Sequence, residues 1–145
     1  MKVSTKGRYA LRIMIDLAEN RSGLIPLKDI SERQGITVKY LEQIVSLLVK
    51  KELVTASRGN GGGYKLSRNP NEYRISEILR VSEGELCTAP CTKGEQCERY
   101  RECNASEFWR GLEKVVNDYI NSQTLEDVVK NSRSSSRRDP SIWIL

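Results

Sequence analysis

Four cysteines stand close together in the second half of the chain. Cys87, Cys91, Cys97 and Cys103 are separated by three, five and five residues, in a stretch (85–104) without apolar periodicity. Thiolates in such a loop can bind zinc, hold an iron–sulfur cluster or act as redox-active thiols. Zinc sites use closer pairs, which only Cys87 and Cys91 approach. The even spacing therefore favours an iron–sulfur cluster, and a zinc site and a thiol switch stay open.

The chain contains no histidine, which removes imidazole metal ligands and the histidine base of serine and cysteine triads. It also contains no Cys-x-x-Cys pair, and the glycines at 61–63 follow a predicted strand rather than opening a helix. A thiol–disulfide oxidoreductase is therefore a weak hypothesis. We expect that the protein is not an enzyme.

Charge is distributed unevenly along the 145 residues. Residues 1–68 hold 13 Lys and Arg against 6 Asp and Glu, whereas residues 69–145 hold 11 against 13. The basic first half is typical of a protein that binds a polyanion such as DNA. The N-terminus lacks the apolar segment of a signal peptide, and no apolar run is long enough to span a bilayer. These features predict a cytoplasmic protein without a membrane partner.

The elements that must position polar side chains for DNA lie between residues 36 and 66. Apolar residues at 41, 44, 45, 48 and 49 recur at helical steps after Thr37, a good N-cap, which predicts a helix over residues 38–51. Residues 53–57 and 64–66 have strand composition and enclose a turn with four glycines in six residues. Such a helix followed by a glycine-tipped basic hairpin is typical of a winged helix-turn-helix. The residues that we expect to contact DNA are Lys39, Tyr40, Glu42, Gln43, Ser46, Arg58, Asn60 and Gly61.

Further helices are predicted on both sides of this stretch. One begins at Ser4 or Thr5 and ends near residues 20–23, a second is opened by Pro26 and ended by Gly35, and a third is capped by Ser76 and ends at Gly84. The predicted fold class is mainly α with a small β-hairpin wing, and residues 1–84 form the DNA-binding domain. Residues 85–104 form the cysteine-rich loop.

A long helix is predicted after the loop, with Asn104 and Glu107 as a capping box. Its apolar stripe is wide enough to pack on its own domain and on a partner helix together, and it comprises Phe108, Trp109, Leu112, Val115, Val116, Tyr119 and Ile120. A short helix capped by Thr124 follows, so that residues 105–129 form one unit. Residues 130–145 are polar and predicted to be a disordered tail, whose apolar end (142–145) is a candidate contact for a protein partner.

Several of these segments together resemble the IscR/NsrR/CymR-type family of bacterial winged-helix repressors. The segments that carry the resemblance are STKGRYA at 4–10, ISERQGI at 30–36, YLEQ at 40–43, RGNGGGY at 58–64 and the three cysteines at 91, 97 and 103. The resemblance covers residues 1 to about 129. It implies a homodimer built on the long helix and a palindromic operator in double-stranded DNA, with the recognition helices in adjacent major grooves. It also implies DNA contacts by Glu42, Gln43 and Arg58.

The resemblance implies a cluster on the last three cysteines, and the chain departs from the family pattern at the fourth ligand. IscR-like members commonly use a histidine at the place of Ser106, and the nitric-oxide sensors use a carboxylate at the place of Arg8. Arg8 cannot ligate a metal, and the chain has no histidine at all. Our hypothesis is that Cys87 is the fourth ligand, because it lies four residues before Cys91 in the same loop; a small molecule or a carboxylate is the alternative. A 2Fe–2S cluster is favoured, and a 4Fe–4S cluster stays open.

We therefore predict that the protein is a DNA-binding transcription regulator, with a repressor favoured over an activator, and that an iron–sulfur cluster controls its operator binding. The alternative is a cluster-free regulator of cysteine or sulfur metabolism that responds to thiol oxidation or to a partner enzyme. The lack of histidine favours the alternative slightly, whereas the four spaced cysteines oppose it.

Overall fold

A computed structural model of the protein describes residues 2–93 and 97–134. Within them the helices are α1 (Thr5–Glu19), α2 (Leu27–Gln34), α3 (Val38–Lys50), α4 (Ile75–Glu83), α5 (Ser106–Ser122) and α6 (Leu125–Ser134). The strands β1 (Val54–Ser57) and β2 (Gly63–Leu66) pair antiparallel and complete the mainly α fold with its small β wing. In these two ranges, no helix is both long and apolar enough to span a membrane.

Helix α1 lies at the centre of the core. Ser4 is its N-cap, and the Ser4 hydroxyl accepts a hydrogen bond from the Gly7 amide at 3.1 Å. The helix buries an apolar stripe of Ala10, Ile13, Met14, Leu17 and Ala18, in which Ile13 and Met14 are fully inaccessible to solvent. This stripe packs against α2, α3, α4 and α6, so α1 connects the N-terminal helices to the C-terminal ones.

Helices α2 and α3 form the predicted helix-turn-helix. Gly35 ends α2 in the left-handed conformation (φ 65°), which glycine adopts without a steric penalty. Thr37 is the N-cap of α3, and its hydroxyl accepts from the Tyr40 amide at 3.4 Å. Pro26 precedes α2 as its N-cap and the first helical residue is Leu27, so the prediction that Pro26 opens this helix is off by one residue.

The hairpin is attached to the body through its second strand. Ile25 forms an isolated antiparallel bridge with Tyr64, with N···O distances of 2.8 and 2.9 Å. A Cβ at Gly63 would lie 2.6 Å from the Ile25 carbonyl oxygen, so this close approach of two backbones requires glycine. The buried Tyr73 hydroxyl donates to the Leu53 carbonyl at 2.8 Å and fixes the start of the hairpin.

Two predicted helix caps are wrong. The chain stays extended through Arg74, which bridges Thr124, and helix α4 therefore begins at Ile75 with Ser76 inside it. The N-cap of α5 is Ala105, with no side-chain hydrogen bond, so the predicted capping box of Asn104 and Glu107 is absent from this helix start. A backbone hydrogen bond is present at this helix start instead of a side-chain cap: the Ser106 amide donates to the Cys103 carbonyl at 3.1 Å.

Helix α6 begins as predicted and ends later than predicted. Thr124 and Asp127 form a reciprocal cap, in which the Asp127 amide donates to the Thr124 hydroxyl (3.1 Å) and the Thr124 amide donates to the Asp127 carboxylate (2.9 Å). The helix runs to Ser134, so residues 130–134 are helical and not part of a disordered tail as predicted. Residues 135–145 lie outside the described residues, with the apolar end at 142–145 among them.

Candidate functional site

The polar face of α3 is open to solvent. Lys39, Glu42, Gln43 and Ser46 are exposed, whereas the apolar residues of the opposite face, at 41, 44, 45 and 48, are buried. Tyr40 is half-buried at the edge of the exposed face. The Ser46 hydroxyl donates to its own helix, at the Gln43 carbonyl (2.9 Å). Within the described part of the chain, the side chains of Lys39, Glu42 and Gln43 make no hydrogen bond or ion pair with another element and can reach a ligand.

An open groove of about 350 Å³ separates α3 from the hairpin. Three of the predicted contact residues, Glu42, Ser46 and Arg58, line it. The other residues in its walls are Val49, Lys50, Ala56, Ser57 and Tyr64. Asn60 and Gly61 lie at the exposed tip of the hairpin, where Gly61 has φ 74°. The structure thus brings the helix and hairpin residues of the predicted site to one side of the molecule.

Helix α1 also contributes to this side, which the sequence did not reveal. The ring of Tyr9 packs edge-on against the ring of Tyr40 with centroids 5.8 Å apart. The guanidinium of Arg12 lies 5.3 Å from the Tyr9 ring centroid, a distance at which cation–π attraction operates. The position of Tyr9 in the sequence of α1 does not predict a contact with Tyr40.

The cysteine loop connects α4 to α5, and its described residues include two short 3₁₀ turns, Pro90–Lys93 and Tyr100–Glu102. All four cysteines are free thiols, with Cys97 exposed and the other three half-buried. The Cys87 thiol donates to the Ala89 carbonyl at 2.6 Å and lies 3.1 Å from the Thr92 hydroxyl. Cys87 is therefore engaged within its own turn.

The chemistry of this loop suits an iron–sulfur cluster, but in its described part the positions of its sulfur atoms do not form a metal site. Four free thiols within one loop are the soft donors that such clusters use. However, among the described residues, no three Cys, Asp, Glu or His side chains lie close enough together to hold a metal ion. Residues 94–96, between Cys91 and Cys97, lie outside the described residues. The donor chemistry fits, and ligation requires the loop to bring its sulfurs together.

Helix α5, which follows the loop, exposes most of its apolar stripe. Phe108, Val115 and Tyr119 are 64–66% exposed and Leu112 is 39% exposed, whereas Ile120 is buried against the body. An exposed apolar stripe of this length is unusual for a monomer and is typical of an interaction surface. The prediction that the stripe packs partly on its own domain is confirmed at Ile120.

The last turn of α4, directly before the cysteine loop, is tied to the start of α1. The Glu83 carboxylate accepts hydrogen bonds from the amide and hydroxyl of Ser4, and from the Ser82 hydroxyl at 3.1 Å. Burial raises the pKa of Glu83, but these hydrogen bonds outweigh it and hold the pKa below its usual value. A Cβ at position 7 would collide with this carboxylate, so a larger residue there would require the Glu83 side chain to move. No periodic pattern in the sequence predicts this contact.

A family model described as Rrf2, "Iron-dependent Transcriptional regulator", matches residues 3–131. The chain belongs to the Rrf2 family. It is 39% identical over 132 residues to an HTH-type transcriptional regulator IscR from Pectobacterium atrosepticum, covering 90% of this chain and 80% of that protein. It is 38% identical to a putative HTH-type regulator, NMA1593, from Neisseria meningitidis, covering 94% and 95%.

Solved structures support the same assignment. CymR (YrzC), the global cysteine regulator of B. subtilis, is similar with a TM-score of 0.78 and 36% identity, covering 90% of this chain and 98% of that one. T. potens IscR is similar with a TM-score of 0.75 and 33% identity, covering 99% and 96%. This Rrf2-family protein is accordingly a transcription regulator of winged-helix type and not an enzyme, as the sequence predicted.

Proposed function

We propose that this Rrf2-family regulator reads a palindromic operator in double-stranded DNA. Helix α3 enters the major groove, where Glu42 and Gln43 meet base edges and Lys39 meets phosphate. Arg58, Asn60 and Gly61 approach the neighbouring backbone from the hairpin. The groove between α3 and the hairpin supports this arrangement, because Glu42 of the helix and Arg58 of the hairpin both line it. A protein with this role acts where the DNA is, in the bacterial cytoplasm.

The observation that carries the proposal is the exposed stripe of α5. In a homodimer, Phe108, Val115 and Tyr119 of two chains would cover one another, which removes from water the three most exposed of the large apolar side chains in the described part. A palindromic operator needs two recognition helices at a fixed separation. A contact between the α5 helices of two chains would set this separation. DNA contacts and dimer contacts then lie on different elements, so the relative position of α5 and the body sets operator affinity.

The proposed regulator of that position is the cysteine loop. Cys91, Cys97 and Cys103, with Cys87 as the fourth donor, would hold an iron–sulfur cluster, which supplies bonds that fix the thiolates together. For this the Cys87 thiol must lose its proton and leave the Ala89 carbonyl. Because the loop joins Glu83 of α4 to Ser106 of α5, drawing the cysteines together changes where α5 begins and shifts the population of dimer geometries.

Cysteine variants test the ligand assignment. Cys97→Ala removes a family-matched ligand and Cys87→Ala removes the proposed fourth one. After anaerobic reconstitution, we expect both variants to lose iron and sulfide relative to the natural chain, with an altered visible spectrum for any cluster that remains in Cys87→Ala. If Cys87→Ala keeps the cluster content and spectrum of the natural chain, Cys87 is not a ligand. Ser106→Ala is a suitable control, because it changes the position at which related proteins place a histidine.

A cluster-free regulator is the second candidate. It is favoured by one observation, the absence of a converging group of metal ligands among the described residues. Its thiols, Cys97 being the most accessible, would respond to oxidation, or the segment 142–145 would bind a partner protein. Iron that stays absent after anaerobic reconstitution, together with DNA binding that changes on treatment with peroxide, would support this candidate over the cluster.

A further inference from the structure

A carboxylate is buried in the apolar stripe of α1, at a position that contacts neither DNA nor the cysteine loop in the proposed function. Asp16 is only 2% exposed. Its two oxygens accept three hydrogen bonds from α2: from Nε and Nη2 of Arg33 at 3.0 and 2.6 Å, and from Nε2 of Gln34 at 2.8 Å. A buried carboxylate needs such partners, since an unpaired charge there is strongly unfavourable. Asp16 is thus a fixed anchor in the core.

The groups that Asp16 holds are the last two residues of α2. Gln34 is held a second time by α1, because the Arg12 guanidinium donates to its side-chain oxygen at 3.1 Å and to its backbone carbonyl at 2.6 Å. Gly35 follows at once in the left-handed conformation, and Thr37 then caps α3. The turn between the two helices therefore starts from Gln34, whose side chain and backbone are both hydrogen-bonded to α1.

The consequence for α3 is geometric. Two residues separate Gln34 from the Thr37 cap, so any rotation at the end of α2 is passed to the axis of α3. Arg12 also lies against Tyr9, whose ring packs on Tyr40 of α3, so the same helix contacts α3 directly. Base reading tolerates displacements of only about 0.5 Å in the supporting shell, whereas phosphate attraction falls off slowly with distance.

We propose that Asp16 is a positioning residue for sequence recognition, which sets the angle of α3 through Arg33 and Gln34. The inference rests on the proposed reading of DNA by α3. It predicts that loss of the Asp16 contacts lowers affinity for the operator without lowering affinity for DNA in general. A purely structural role lowers both affinities together, as the folded fraction falls. A purely electrostatic role of Asp16 raises both when its negative charge is removed.

The test compares Asp16→Asn and Arg33→Gln with Arg68→Gln. Arg68 is a matched control, because it pairs with Glu77 at 2.6 Å and is 37% exposed, against 2.6 Å and 38% for Arg33. Each Arg→Gln change removes one positive charge, and Arg68 lies outside the helix-turn-helix. An operator selected from random duplexes with the natural protein and a scrambled duplex of equal composition serve as probes, and binding is measured by fluorescence anisotropy. Circular dichroism and sedimentation confirm folding and self-association.

We expect Asp16→Asn and Arg33→Gln to lower operator affinity by at least about tenfold, with scrambled-duplex affinity within about threefold of the natural chain. Arg68→Gln should leave the ratio of the two affinities unchanged. If Asp16→Asn does not fold, Arg33→Lys gives the same test, since it keeps the charge and loses the two-nitrogen fork. An unchanged ratio in Arg33→Lys or Asp16→Asn overturns the inference.

Gln43→Ala distinguishes this failure from a failure of the proposed function. If Gln43→Ala lowers the affinity ratio and the Asp16 and Arg33 variants do not, α3 reads the DNA and Asp16 has no positioning role. If Gln43→Ala also leaves the ratio unchanged, the reading of DNA by this face of α3 is wrong, and the positioning role falls with it.

Discussion

Replacing Val115 by alanine should weaken the association of two chains by a calculable amount. Val115 is 66% exposed in the single chain and lies in the middle of the α5 stripe. The change removes two carbon groups, worth about 1.6 kcal/mol if fully buried, of which about two thirds, or about 1 kcal/mol, is gained on association. In a two-fold dimer the change occurs in both chains, so the dissociation constant should rise by roughly 30-fold, for a loss of about 2 kcal/mol.

Sedimentation equilibrium over a range of protein concentrations measures this dissociation constant directly. Val38→Ala is the control, because Val38 is the exposed valine at the start of α3 (39% exposed) and should leave self-association unchanged. Operator binding at low protein concentration should fall with Val115→Ala and recover when the concentration exceeds the new dissociation constant. A dissociation constant for Val115→Ala within a factor of two of the natural one would refute burial of this stripe between two chains.

Two further predictions concern other parts of the molecule. Glu42→Ala should relax sequence preference and raise affinity for non-operator duplexes, because a glutamate at a DNA surface repels phosphate unless it accepts from a cytosine amino group or a nearby cation; in competition binding, an equal loss for all sequences would contradict this. Glu83 has a folded-state pKa below its ordinary 4.5, so its contribution to stability is fully present above that pH and is lost as the pH falls through the lower folded-state pKa. The difference in unfolding free energy between the natural chain and Glu83→Gln, from urea unfolding at a series of pH values, should therefore be constant near neutral pH and shrink in acid; a constant difference down to pH 3 would show that the contact with Ser4 does not depend on the charge.

Local signals were sufficient to predict the helix-turn-helix. Gly35 and Thr37 end one helix and begin the next by backbone rules that need no knowledge of the rest of the chain, and the structure confirms both. The predicted cap of α4, Ser76, was wrong because a contact with a distant part of the chain decides where this helix begins. Its start is decided by the bridge between Arg74 and Thr124, fifty residues apart, to which no local preference points.

The sequence also could not predict contacts between polar residues that lie far apart in the chain. Asp16 stands among the apolar residues of α1, and a charge within a buried stripe is a usable sign of a partner, but the sequence does not say that the partners are Arg33 and Gln34. The bond between Glu83 and Ser4 spans 79 residues and has no sign at all. For the site itself, composition and spacing placed the residues predicted to contact DNA on one helix and one hairpin, while the groove between these elements is a result of packing.

In the proposed function, an iron–sulfur cluster held by the cysteine loop controls DNA binding by this Rrf2-family regulator. Anaerobic purification of the natural chain, followed by an absorption spectrum and by iron and sulfide assays, tests it most directly. If the loop holds a cluster, the purified protein is brown, shows visible charge-transfer bands and contains matched amounts of iron and sulfide, and the ratio per chain separates 2Fe–2S from 4Fe–4S. A colourless protein that stays free of iron after anaerobic reconstitution, yet still binds operator DNA, would contradict it and leave the thiols or a protein partner as the means of control.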